Sequence, residues 1–172
     1  MEYQIGRYDE QRPGMYETEL FSGERDIHMG IDIGAPVGTA VHAFADGEIH
    51  SFSNEHDAGG YGPVIITSHE ISFPDDAQHQ WAGENKLVYA LHGHLSTSDL
   101  EGLSPGQAIT AGQVIGHMGH EAENGGWPSH LHFQLSWQEP EFGNMPGVVN
   151  QENRIEAISI YPDPRIILGN LY

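Results

Sequence analysis

Three short histidine-bearing clusters are the part of this sequence that could carry chemistry. They are His28-Met-Gly-Ile-Asp32, His92-Gly-His94 and His130-Leu-His132. Residues separated by an even number of positions on a β-strand point to the same face, so each cluster would present two metal-competent side chains together. Because the 172 residues include no cysteine, a transition metal could be bound only by imidazoles and carboxylates. If the three segments are neighbours in a sheet, their side chains suit an open zinc site with three protein ligands.

Each cluster has a simpler explanation when it stands alone. The H-x-x-x-D spacing arises often by chance, and an isolated H-x-H pair can be two solvent-facing histidines on a strand. Three such clusters, each on a predicted strand, are hard to attribute to core packing, because a buried imidazole without a partner is unfavourable. The combination therefore favours a metal site.

The elements that must position these clusters are short strands. Alternating apolar and polar residues, interrupted by Gly, Pro, Asn and Asp, predict a mainly β protein with strands at 27–33, 39–44, 48–53, 64–68, 87–94, 114–118 and 130–137. One helical turn is predicted at Thr97–Leu100, and a short closing helix between Asp163 and Gly169. Tyr61-Gly62-Pro63 predicts a tight turn with no chemistry. We expect a single domain over 1–172, with a core at 27–137 and added segments at 1–26 and 138–172.

The charge balance limits the partners of the chain. There are 25 acidic residues against 6 basic ones, a formal net charge of -19. A field of this sign repels nucleic acid and anionic lipid, so neither is an expected partner. The first residues lack the pattern of a secretory signal, and no apolar stretch has the length of a membrane span. We therefore expect no membrane insertion and a cytoplasmic location if the chain is complete, or a periplasmic or extracellular one if a leader was removed. The sequence does not predict the oligomeric state.

Four motifs, in the same order, resemble those of the lysostaphin and LytM-type zinc endopeptidases over about residues 27–135. They are HMGIDIGAPVGTAVHAFADG at 28–47, GHLS at 93–96, LSPGQAITAGQVIG at 103–116 and SHLHF at 129–133. The resemblance implies a compact antiparallel β-sheet domain with the metal in a groove across the sheet. It also implies that His28, Asp32 and His132 bind one Zn²⁺ per chain, and that His94 and His130 are catalytic.

The same resemblance implies an activity. The chain would be a zinc metalloendopeptidase that hydrolyses peptide bonds with a metal-bound water assisted by two histidines. The substrates would be short Gly-rich peptides or peptidoglycan-type cross-link peptides. Which catalytic histidine is the base and which stabilises the oxyanion stays open.

Several positions depart from the family pattern. His92 stands where many members have Tyr; it could replace that Tyr, be a spare ligand or face solvent, and we favour the last. Gln134 stands where Glu is common, and the loop NGGWPS at 124–129 replaces a loop usually of a Ser-Thr-Gly kind. Within that loop, Asn124 could bond substrate or cap a turn, and Trp127 could form a groove wall or a packing corner.

Three other classes of protein share some of these features. A biotinyl or lipoyl carrier needs a lysine at an exposed hairpin tip, whereas Lys86, the only lysine, is at the start of a predicted strand. A phosphotransfer domain of the sugar-uptake type would not explain Asp32. A metal-binding but catalytically silent peptide-recognition or regulatory module stays open, because the sequence shows no secretory signal and has His92 where many members have Tyr. The 124–129 loop and the segment 161–165 also resemble a version of the domain linked to intracellular aminotransferase-like partners.

Overall fold

The computed structural model describes residues 4–15, 25–55, 57–75 and 80–172. Within them the strands are β1 (Gln4–Gly6), β2 (Ile27–His28), β3 (Ile31–Gly34), β4 (Ala40–His42), β5 (Gly47–Glu55), β6 (Gly62–Ser72), β7 (Asn85–Gly93), β8 (Ala108–Ile109), β9 (Val114–His117), β10 (His130–Ser136) and β11 (Val148–Val149). The helices are α1 (Arg154–Ile160) and α2 (Arg165–Leu168), with 3₁₀ turns at Thr97–Leu100 and Glu141–Gly143.

Seven strands form one antiparallel sheet in the order β1-β3-β10-β7-β6-β5-β8. Two smaller antiparallel pairs, β2 with β11 and β4 with β9, lie beside it. This confirms the predicted mainly β, antiparallel architecture. It also makes β3, β10 and β7 consecutive neighbours, so the segments that carry the three histidine clusters lie side by side.

The predicted helical turn at Thr97–Leu100 and the closing helix are both present, the latter ending at Gly169 with a φ of 77°. The sequence pattern did not predict α1 or the strands β1, β8 and β11. These strands are two or three residues long, which is too short to show an alternating pattern.

The prediction of one continuous strand over 27–33 is wrong. The chain forms β2, then bends at Met29-Gly30, and then forms β3 in a different sheet. Gly30 passes so close to the third histidine cluster that a Cβ there would lie 2.6 Å from Cε1 of His132. His28 and Asp32 therefore converge because the chain bends between them, not because they alternate along one strand.

The segments outside 27–137 contribute strands to the sheets. In the N-terminal segment β1 pairs with β3, with Gly6 opposite Asp32. In the C-terminal segment β11 pairs with β2, with Val148 opposite His28. Of the N-terminal segment, residues 1–3 and 16–24 lie outside the described part of the chain.

The main apolar core lies on one face of the large sheet, under the β4–β9 pair, and includes Val41, Ile65, Val88, Leu135 and Phe133. His92 belongs to this core. Its side chain is buried, its ring lies 5.3 Å from that of Phe133, and its Nδ1 lies 3.2 Å from the carbonyl oxygen of Ile65. The preference for a solvent-facing His92 is therefore wrong, because β7 is a central strand and this face of it is covered.

The burial of His92 predicts a pH-dependent stability. Desolvation lowers the pKa of His92 to about 4, whereas a histidine in an unfolded chain titrates near 6.5. The stabilisation is therefore complete above pH 6.5 and is lost as the pH falls towards 4, where the unfolded chain binds one more proton. We expect His92→Leu to flatten the decline of the free energy of unfolding in this window by up to about 1.4 kcal/mol per pH unit.

Urea unfolding of the parent and the variant at several pH values between 4 and 7 measures this slope. His120→Leu, at an exposed position, is the control for replacing a histidine elsewhere. Equal slopes for the parent and His92→Leu would contradict the prediction.

Candidate metal centre

Three potential ligand atoms converge on one point beside the sheet. His28 Nε2 lies 3.0 Å from His132 Nδ1 and 3.1 Å from Asp32 Oδ1, and the last two atoms are 3.0 Å apart. Ligands about 2.0–2.1 Å from a tetrahedral zinc ion are separated by roughly 3.3 Å. The donor types and their spacing therefore fit a zinc ion after a shift of a few tenths of an ångström.

Paired strands hold two of these residues in place. Asp32 on β3 lies directly opposite His132 on β10, and His28 enters from β2. Nearby atoms also fix which atom of each residue is available. His28 Nδ1 donates a hydrogen bond to the carbonyl oxygen of Arg7, 2.8 Å away, which leaves Nε2 as the acceptor that faces the other ligands.

A side chain outside the three clusters fixes the ring of His132. Nε2 of His132 donates to Oε1 of Gln134 at 3.0 Å, and Nε2 of Gln134 donates in turn to the carbonyl oxygen of Pro146 at 3.2 Å. The lone pair of His132 is therefore on Nδ1, the atom that faces His28 and Asp32. The sequence identified Gln134 only as a departure from the family pattern; the structure shows its contact with a predicted ligand.

The protonation states also fit metal binding. Burial acts to raise the pKa of Asp32, but His28 and His132 outweigh it and hold the pKa of this carboxyl well below its ordinary value. Desolvation lowers the pKa of His132. An ionised carboxylate beside a neutral imidazole is the form that binds a metal.

His94 and His130 lie side by side next to the three potential ligands, with ring centroids 4.2 Å apart. Their Nδ1 atoms donate to the carbonyl oxygens of Asn124 at 2.8 Å and Pro128 at 2.7 Å, respectively. Both rings therefore carry their lone pair on Nε2, and that atom of His130 is 3.9 Å from Asp32 Oδ1. Burial lowers the pKa of both histidines, and for His94 the neighbouring His130 lowers it further.

The idea that His92 and His94 share a face is wrong. His94 follows the end of β7 and has a φ of 64°, in the left-handed region. This backbone conformation turns His94 to the metal-site side of the sheet while His92 stays in the core on the other side. His92 is therefore not among the residues that the fold brings together here.

The loop before β10 shapes the site. The side chain of Asn124 closes this loop: Oδ1 accepts from the backbone N–H of Trp127 at 3.0 Å, and Nδ2 donates to the carbonyl oxygen of Trp127 at 2.9 Å. Asn124 thus caps a turn with its side chain while its own carbonyl holds His94. Trp127 and Pro128 line the adjoining groove, which fits the groove-wall alternative.

The groove encloses about 940 Å³ and is lined by all five predicted site residues. Tyr61 also lines it, with its hydroxyl donating to the carbonyl oxygen of Met145 at 3.1 Å and its ring 5.1 Å from that of His132. The sequence predicted only a tight turn without chemistry at 61–63, and the structure adds that Tyr61 forms part of the groove wall beside His132. Nothing in the local sequence pattern could have shown it, because the loop between β5 and β6 meets the site only in the folded chain.

In the described part of the chain, no helix has both the length and the hydropathy needed to cross a membrane.

Comparison with known proteins gives three kinds of likeness. The family model described as "Peptidase family M23" matches residues 26–143. The DD-carboxypeptidase/endopeptidase Mpg of Neisseria meningitidis is 34% identical over 109 residues, which are 63% of this chain and 20% of that protein. Mpg of Neisseria gonorrhoeae is 33% identical over the same shares. The chain thus spans about a fifth of the length of the curated relatives that it matches.

Among solved structures, the catalytic domain of lysostaphin from Staphylococcus simulans superposes with a TM-score of 0.59 at 21% identity, covering 98% of this chain and 93% of that one. The catalytic domain of the prophage-encoded M23 protein EnpA from Enterococcus faecalis, in a mutant form, gives a TM-score of 0.53 at 21% identity, over 87% and 89%. At 21% identity, these two similarities show a shared fold alone.

Because Gln134 accepts a hydrogen bond from His132, we predict that a variant lacking this acceptor binds the metal more weakly. Gln134→Met keeps the size of the side chain but removes the acceptor, so His132 loses the bond that sets its ring orientation. We expect zinc affinity, measured by competition with a chromogenic chelator, to fall roughly 10- to 100-fold. Gln113→Met, which alters an exposed glutamine that bonds only a local turn, is the matched control. Equal affinities of Gln134→Met and Gln113→Met would contradict the assignment.

Proposed function

The chain belongs to peptidase family M23, whose members are zinc metallopeptidases, and on this premise we propose that it is a zinc-dependent endopeptidase with one metal ion per chain. His28, Asp32 and His132 hold the ion. The observation that carries the proposal is the set of three ligand atoms about 3 Å apart in a groove that two neutral histidines flank.

When bound, zinc polarises the carbonyl of the scissile bond and increases the acidity and nucleophilicity of a water molecule. Residues of the chain then accept and donate the protons. Nε2 of one of the pair His94 and His130 accepts a proton from water, and a protonated imidazole of this pair gives a proton to the nitrogen of the leaving amine. Their lowered pKa values keep both rings in the accepting form at neutral pH.

The groove supports a peptide as the substrate. It is open, encloses about 940 Å³, and has the aromatic rings of Tyr61 and Trp127 in its wall. The matched relatives are named as a DD-carboxypeptidase/endopeptidase and as the antimicrobial peptidase lysostaphin. We therefore propose short Gly-rich peptides or peptidoglycan-type cross-link peptides as the substrate class. The catalytically silent alternative predicts the same metal content but no cleavage.

Metal content tests the ligand assignment. Removing the Asp32 carboxylate leaves two imidazoles, so we expect about one zinc per chain in the parent and far less in Asp32→Ala. Elemental mass spectrometry on untagged protein, purified without chelator, measures both. A parent that takes up no zinc even after zinc addition and dialysis would contradict the proposed function.

Activity tests the roles of the two remaining histidines. We expect His94→Ala and His130→Ala to keep their zinc and to lose roughly 10²- to 10⁴-fold in kcat on a synthetic peptidoglycan-type peptide, because they move protons and do not bind the metal. Loss of zinc from His94→Ala would mean that ligands and proton-transfer groups are wrongly assigned. Zinc-loaded parent that cleaves no peptide in a broad cell-wall and synthetic panel would favour the silent module.

A further inference from the structure

We propose that the segment 4–12, here called the arm, positions two of the ligands of the metal centre. The arm precedes the stretch 26–143 matched by the family model, and the sequence assigned it to an added segment. In the structure it contacts two of the three proposed ligands. The inference rests on the proposed metal site and goes further: the arm orients His28, and Arg12 restricts Asp32 to binding through a single oxygen atom.

The arm makes hydrogen bonds to both the backbone and the side chain of His28. The backbone N–H of Asp9 donates to the carbonyl oxygen of His28 at 2.8 Å, and the N–H of His28 donates to the carbonyl oxygen of Glu10 at 3.0 Å. The imidazole donates to the carbonyl oxygen of Arg7. Both the backbone position of His28 and the choice of its metal-facing nitrogen therefore depend on the arm.

Arg12 acts on the second ligand. Its Nη1 donates to Asp32 Oδ2 at 2.7 Å, while its Nε donates to Glu10 Oε2 at 2.9 Å. The side chain of Arg12 is only 9% exposed. In a chain with 6 basic residues and a net charge of -19, one of these few cations is buried against the proposed metal ligand. A buried guanidinium must be paired and hydrogen-bonded, and here the two carboxylates provide that pairing.

The surrounding backbone leaves space for this ion pair. Gly6 lies opposite Asp32 in the β1–β3 pairing, and a Cβ on Gly6 would lie 2.4 Å from Arg12 Nη2 and 2.8 Å from Asp32 Oδ2. Any side chain at this position would displace the guanidinium from the carboxylate. Position 6 therefore requires glycine, because a larger residue would clash with the Arg12–Asp32 ion pair.

Contacts with the C-terminal segment fix the other side of the arm. The hydroxyl of Tyr8 donates to the carbonyl oxygen of Tyr161 at 2.6 Å, and Nε of Arg154 in α1 donates to Asp9 Oδ1 at 2.7 Å. The arm is thus held between the metal centre and α1, and this restrains the positions of Arg7 and Arg12.

The Arg12 contact has a specific consequence for coordination. A carboxylate can bind a metal through one oxygen or through both. Because Oδ2 of Asp32 is engaged by a charge-assisted hydrogen bond, only Oδ1 is available, and this keeps the number of protein ligand atoms at three. Without the guanidinium, Asp32 is free to rotate and to bind through both oxygens.

Cobalt(II) in place of zinc reports this difference, because four-coordinate cobalt absorbs visible light much more strongly than five- or six-coordinate cobalt. We expect Arg12→Met, in the full chain loaded with Co²⁺, to lose much of its visible absorption. Zinc affinity, measured separately by chelator competition, should fall roughly 10- to 100-fold. Arg12→Lys restores a positive donor towards Oδ2, so it should recover part of both properties.

Two further variants make the test decisive. Arg165→Met removes an arginine that pairs with Asp163 in a similar way but does not line the groove, and it should match the parent in spectrum and affinity. Glu10→Gln, at a partly exposed position, keeps Arg12 but weakens the partner that orients it. It should lower zinc affinity by a smaller factor than Arg12→Met, and it provides the test if Arg12→Met does not fold.

The outcomes separate this inference from the proposed function. A parent that binds no Zn²⁺ or Co²⁺ overturns both. A parent that binds zinc and cleaves peptide, with Arg12→Met and Glu10→Gln unchanged in spectrum and affinity, overturns the role of the arm alone. A changed spectrum in Arg12→Met, with Arg165→Met unchanged, supports it.

Discussion

The register between β3 and β10 is the constraint on which the proposed metal centre depends. It sets Asp32 directly opposite His132 on one face of the sheet. Their neighbours along each strand, such as Ile33 and Phe133, pack in the apolar core on the opposite face. A slip of one residue would exchange the two faces, moving a carboxylate or an imidazole into the apolar core. The packing that stabilises the sheet therefore also keeps the two ligands together.

The sequence predicted that the three histidine clusters would converge, and the strand period accounts for the shared face of His130 and His132 but not for the approach of His28 to Asp32. The pairing of His130 with His132 and the convergence of His28, Asp32 and His132 are both present in the fold. The reasoning failed where position depends on backbone conformation, as with His94, whose left-handed φ separates it from His92. The bend at Gly30 is a similar case.

The contacts made by residues outside the motifs could not be predicted. Arg7, Arg12 and Tyr61 all lie in loops, which show no periodicity. Their roles follow only from the tertiary contacts that bring them to the groove. Gln134 differs, because its spacing of two from His132 on a strand could have indicated a shared face.

Neutral hydrogen-bond partners and burial act together on the histidines of the site. Neutral carbonyl oxygens fix the rings of His28, His94 and His130, and an amide fixes that of His132. Burial lowers the pKa of His94, His130 and His132, and it outweighs the raising effect of their hydrogen-bond partners, including the contact of His132 with Asp32. The carboxylate of Asp32 stays ionised among them.

Different elements of the structure hold the proposed ligands and the two proposed catalytic histidines. The ligands lie on or beside paired strands and are held by the arm and by Gln134. By contrast, Nδ1 of His94 and Nδ1 of His130 both donate to carbonyl oxygens of the 124–129 loop, in which Trp127 also forms part of the groove wall. A change in this loop would move both imidazoles and the wall together without altering the β3–β10 register. This loop therefore positions the two proposed catalytic histidines and one part of the groove wall, whereas the strands, the arm and Gln134 position the proposed ligands.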